Sequence, residues 1–164
     1  MRSDTIRRIM TGCELSLVLV VLLALQAGAQ QPCLKEAWAA YNSKDYPGAI
    51  KAADKCIDDF GRQAEKEEAA LKAKPEPEPP IGKVEGAAER NAIFARWAVN
   101  DVSAAYFVKG RSAEFLYKKG SNGQKIVAEK AYQGAISLSY GRVWDPQGWF
   151  WAPKQAAEER LPIK

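Results

Sequence analysis

Apolar residues along this chain recur at helical spacing in four places. Leu34, Ala37, Trp38 and Tyr41 mark one face of a first helix. Asn42-Ser43-Lys44-Asp45 is polar turn material. Pro47 then suits the first turn of a second helix, where its missing N–H costs nothing. That helix continues through Ile50, Ala53, Ile57 and Phe60, and on through good helix formers to Leu71. A third helix begins near Gly86, with Phe94, Ala98, Val102, Ala105 and Val108 on its stripe. Gly110 is expected to kink or end it. Lys118-Lys119-Gly120-Ser121-Asn122-Gly123 is a turn signal. Val127, Ala128, Ala131, Tyr132, Ala135 and Leu138 make a fourth stripe, and residues 155–161 a short last helix. Tyr140 to Pro153 reads as irregular. No segment alternates with period two over five or more residues, so strands are not required. The fold class expected is all-α: two helical hairpins and an aromatic C-terminal cap.

The first 29 residues stand apart. Arg2, Arg7 and Arg8 precede an apolar run from Leu15 to Leu25, interrupted by Ser16. Eleven residues reach about 16 Å at 1.5 Å each, roughly half a hydrocarbon core. Ala27-Gly28-Ala29 supplies the small residues of a cleavage site. Together these features read as a secretory signal peptide over residues 1–29, giving an exported protein, periplasmic or extracellular. An uncleaved anchor is the less favoured reading. The membrane then enters through the signal peptide before cleavage.

Lys74-Pro75-Glu76-Pro77-Glu78-Pro79-Pro80 stops the second helix. Its prolines impose an extended backbone, so 74–85 reads as a Pro/Glu-rich linker between a first hairpin (30–73) and a second hairpin with its cap (86–164). A ligand for a proline-reading module is the alternative. A spacer is preferred because its charges keep it solvated.

Composition removes several functions. The chain contains no histidine. Ser-His-Asp and Cys-His mechanisms are therefore excluded within it, as are His-based zinc sites. No metal and no cofactor is expected. The formal charge of +4 has no basic block, so nucleic acid is not an expected partner. Cys33 and Cys56 lie after the cleavage site, symmetric about the turn at Lys44-Asp45. Two antiparallel helices meeting there put them opposite each other, so a Cys33–Cys56 disulfide is preferred over two buried thiols.

The hairpins resemble tetratricopeptide repeats, 34-residue helix–turn–helix units. In the first, Tyr41, Asp45-Tyr46, Ala49-Ile50 and Cys56-Ile57 fall at the family's positions. In the second, Tyr117, Gly120, Ala128, Tyr132, Ala135-Ile136 and Tyr140 fit with a longer turn. The stretch Tyr140 to Trp151, with Asn100-Asp101-Val102 and Tyr106-Phe107-Val108-Lys109-Gly110, is similar to a group of exported bacterial repeat proteins. Members of that group are sometimes labelled beta-glucanase precursors. The resemblance implies a non-enzymatic adaptor binding a protein or peptide partner in the groove between hairpins.

The candidate contacts are Tyr106, Trp144, Asp145, Trp149 and Trp151. Trp144, Trp149, Phe150 and Trp151 crowd eight positions. They read first as a cap over the end of a short stack, and second as a stacking platform for sugars or a peptide. Asp145-Pro146-Gln147-Gly148 reads as a turn. The alternative functions are a cell-wall or glucan-binding module and a small beta-glucanase. The latter needs two carboxylates about 5–9.5 Å apart. Asp101, Glu114, Asp145, Glu158 and Glu159 are available, but no motif pairs them, so no catalytic residue is assigned. Asn100-Asp101 interrupts an apolar helix and reads as a buried polar contact to the Trp-rich stretch.

Overall fold

The structure is a computed structural model that describes residues 30–74 and 76–164. The signal-peptide expectation for 1–29 lies outside the described residues. Among the described residues there are six helices and one two-stranded sheet: α1 (Pro32–Asn42), α2 (Tyr46–Lys72), α3 (Ala87–Phe94), α4 (Trp97–Lys118), α5 (Gln124–Ser137), β1 (Val143–Asp145), β2 (Trp149–Trp151) and α6 (Pro153–Glu158). The chain is mostly helical, in keeping with the all-α expectation.

The first helix pair follows its sequence signals. Lys44 takes a left-handed φ of 66° and reverses the chain. Asp45 then caps α2, its carboxylate accepting the N–H of Gly48 at 3.0 Å. The reversal brings Cys33 and Cys56 to disulfide distance, with their Cα atoms 5.4 Å apart. Both are buried with Leu34, Ala37, Ala49 and Ala53 against Ala104, Ala105 and Val108 of α4. Small side chains on all three helices permit that close approach.

α4 is the axis of the molecule. It packs against α1, α2, α5 and α6, and Ala98, Val99, Val102, Ala104, Ala105 and Val108 are all fully or nearly fully buried. Gly110 does not end it, contrary to the expectation. A side chain there would meet the buried Tyr132 ring at 2.6 Å. The glycine is therefore a seat for that ring, and the helix continues to Lys118. The third expected helix is instead broken at Ala95-Arg96 into α3 and α4.

Two buried charged groups tie distant segments together. Glu68 of α2 accepts the N–H and hydroxyl of Ser139 at 2.7 and 2.9 Å, and the N–H of Tyr140 at 3.2 Å. Arg142 donates to the carbonyls of Pro79, Ser139 and Gly141. Pro79 is buried by this contact. The end of the Pro/Glu-rich segment is thus held against the body, and Gly82 exchanges two 2.8 Å hydrogen bonds with Phe150.

The stretch after Tyr140, expected to be irregular, contains the β1–β2 hairpin. Val143 faces Trp151, Trp144 faces Phe150 and Asp145 faces Trp149. Aromatic and β-branched residues flank a turn, which favours a hairpin. Three residues on each side are too few for the alternation to show.

Candidate functional site

The hairpin is the most distinctive surface of the molecule. Its turn is built by Asp145, whose carbonyl accepts the N–H of Gly148 and whose carboxylate accepts the N–H of Gln147, each at 2.8 Å. Gly148 has φ +98°, a conformation that favours glycine. Phe150 is fully buried with Val84 and Ile93, and so anchors the hairpin. Trp151 is held edge-on to Phe107 and Trp38, at 5.3 and 6.4 Å between ring centroids. Trp144 and Trp149 each remain 38% exposed.

Pleating divides the predicted residues between two faces. Asp145, Trp149 and Trp151 share one face; Trp144 shares the other with Phe150. Trp144 meets Phe150 and Phe94 edge-on, at 4.8 and 5.8 Å. Tyr106 stands on α4 and packs with the cores on the α2 and α5 sides. Its ring lies over Gly134, where a Cβ would come within 2.6 Å of it. Burial raises its phenol pKa, with Glu65, Asp54 and Asp58 adding to the effect. The five residues thus do not form one groove.

Behind Trp144 lies a cavity of about 270 Å³. Phe94, Trp97 and Trp144 supply aromatic wall, Leu34 and Val143 aliphatic wall, and Asn100, Asp101, Arg142 and Gln30 the polar groups. Asn100 fixes the geometry between α3, α4 and β1. Its amide donates to the Ile93 carbonyl at 2.8 Å and accepts the N–H of Arg142 at 2.9 Å. This is the polar contact to the Trp-rich stretch anticipated for Asn100-Asp101. Asp101 is 8% exposed. Burial pushes its carboxyl up to about 6, against the opposing influence of the Gln31 N–H and of Lys35.

The carboxylates weighed for glycoside hydrolysis have other partners. Glu114 accepts from Tyr132 at 2.6 Å and from Lys118 at 2.7 Å. Burial, which opposes ionisation, is outweighed by those bonds, and the Glu114 pKa is lowered. Asp145 closes its own turn, and Glu158 and Glu159 are exposed on or just after α6. Among the described residues lining the cavity, Asp101 is the one carboxylate. Among the described residues, no three His, Cys, Asp or Glu side chains group as metal ligands. No helix among them is long and apolar enough to cross a membrane.

Sequence reasoning missed Arg142, Phe94 as a site residue, and Trp97. A lone arginine inside an aromatic stretch was a usable signal for Arg142. Trp97 has none, because its role depends on the break at Ala95-Arg96. No protein-family model matches the chain, and neither the curated proteins nor the solved structures searched contain a match.

Proposed function

We propose that the protein is an exported, non-enzymatic helical adaptor that binds a protein or peptide through its hairpin. The observation carrying this is the pair of exposed indoles, Trp144 and Trp149, held on a short hairpin that Phe150 and Gly82 pin to the body. Tryptophans on a rigid support are the usual anchors of interfaces, because little side-chain freedom is lost on binding. The two helix pairs supply that support, and the tetratricopeptide-like reading of them remains part of this proposal. Export accounts for a disulfide-distance cysteine pair in so small a chain. Capture from periplasmic or secreted material tests the reading. One discrete partner is expected with the native chain, and its loss on Trp149→Ala or Trp144→Ala with helicity unchanged. Equal capture by native and variant chains overturns it.

A second reading rests on the Asp145–Trp149 pair. An indole beside a carboxylate on one face suits a sugar ring, with stacking and hydroxyl hydrogen bonds. Co-sedimentation with peptidoglycan or insoluble glucan tests it. A hydrolase is disfavoured, because the cavity offers a single carboxylate where two are needed.

A further inference from the structure

Asp101 presents an unusual arrangement. It is buried on α4, yet among the described residues the hydrogen bond it receives is from the backbone N–H of Gln31, at 2.8 Å. An ionised carboxylate can accept about four hydrogen bonds, and a buried one is costly unless paired. Two cations are nearby. Lys35 on α1 makes no ion pair with Asp101 among the described residues, and Arg142 directs its guanidinium to Pro79, Ser139, Gly141 and Glu78. Gln30 lines the same cavity as Asp101, and Gln31 donates to Asp101, where the chain enters α1.

We propose that Asp101 is the receptor for the α-ammonium group of Gln30, created when the chain is cut after Ala29. The proposal rests on the export reading above. Hydrolysis breaks the Ala29–Gln30 peptide bond. The hydroxyl of water goes to the Ala29 carbonyl, and the Gln30 nitrogen, gaining protons, becomes –NH₃⁺. That nitrogen is one residue from the Gln31 nitrogen, at most about 3.6 Å by backbone dimensions. It therefore appears beside a carboxylate already oriented by Gln31, with three donors and a positive charge. Cleavage thus adds a charged donor to a carboxylate that, among the described residues, accepts one hydrogen bond. It fixes the entry to α1 and completes the floor of the cavity behind Trp144. Pairing also keeps the amine protonated, so it cannot attack its own side-chain amide, a reaction that would form the cyclic lactam and expel ammonia. Gln30 is held as an open, charged terminus.

The test uses the exported chain and a version retaining Ala29, each with the native Asp101 and with the substitution Asp101→Asn. Mass spectrometry of the exported chain reports the cut site. A first residue other than Gln30 overturns the cleavage reading alone, and the pairing is then tested on chain released at Gln30 by a fused leader. The pairing is read from the titration of the isotope-labelled, dimethylated α-amine. With Asp101 present, its proton dissociation constant is expected at least tenfold below that of the Asp101→Asn variant. Retaining Ala29 removes the difference. The unfolding constant is expected to show non-additivity of at least tenfold between Ala29 retention and Asp101→Asn. Equal amine titration in the two proteins, independent effects on unfolding, or cyclised Gln30 in the native mature protein overturns the proposal. Should the Asp101→Asn variant not fold, the amine titration of the two N-termini with Asp101 intact decides.

Discussion

The carboxylate of Glu68 accepts the backbone N–H of Ser139 at 2.7 Å, across 71 residues of sequence. It lies 3% exposed and also receives the Ser139 hydroxyl and the Tyr140 N–H. It therefore closes the end of α5 and sets where the hairpin begins. Glu68→Ala leaves two backbone donors unsatisfied, each costing about 1–3 kcal/mol. A loss of about 2–6 kcal/mol is expected in urea unfolding, together with a change in tryptophan fluorescence. Glu68→Gln, which keeps an acceptor, should cost less.

Gly110 and Gly134 give a contrast. Each would place a Cβ 2.6 Å from a tyrosine ring, Tyr132 and Tyr106 respectively. Tyr132 is fully buried and hydrogen-bonded to Glu114, so it cannot retreat. Tyr106 is half-buried. Overpacking costs about 1–3 kcal/mol, against a gain of about 1 kcal/mol for replacing a helical glycine. Thermal melting should show both Gly110→Ala and Gly134→Ala destabilised, with the Gly110 variant losing more because Tyr132 has no exposed side to move toward.

The Asp101 carboxyl gives a pH dependence. While the chain upstream of Gln30 is retained, burial holds it at about 6. The ordinary aspartate value applies when unfolded. Between about pH 4 and 6 the folded state keeps a proton that the unfolded state has lost, so stability falls as pH rises, by up to about 3 kcal/mol. The charged groups facing Asp101 are Lys35 and Arg142. Asp101→Asn should abolish the fall, and so should the cut at Gln30, as measured by urea midpoints at pH 4 and 7. A chain retaining Ala29 with no fall would contradict this.

Reduction of the Cys33–Cys56 pair is expected to lower stability by about 3 kcal/mol, from loop entropy over a separation of 23 residues. Helicity should survive reduction at 25 °C, since α4 holds both helices of the pair through Ala104, Ala105 and Val108. Circular dichroism and melting with and without reductant check this.

The first helix pair was legible in the sequence because its signals are local. The stripe, the polar turn before Pro47 and the symmetric cysteines all fall within 40 residues. Three features were not legible. The hairpin strands are three residues long, shorter than any reliable alternation. Gly110 looked like a breaker, because the ring that fills its space comes from Tyr132 on another helix. Glu68 read only as one of the helix formers before Leu71, and Arg142 drew no role of its own, because the partners that bury them include groups 63–72 residues away. The crowded tryptophans were visible, but the pleat that divides them was not. The same residues read as one cap or, second, one platform, where the structure divides them between two faces.

The central claim, that the hairpin is the interaction surface, is tested most directly by a photo-crosslinking residue at position 149, with one at the exposed Ile126 of α5 as control. The expected result is one discrete crosslinked partner from position 149 and none from 126. The same products from both positions, or none from 149 while another surface captures a partner, would contradict it.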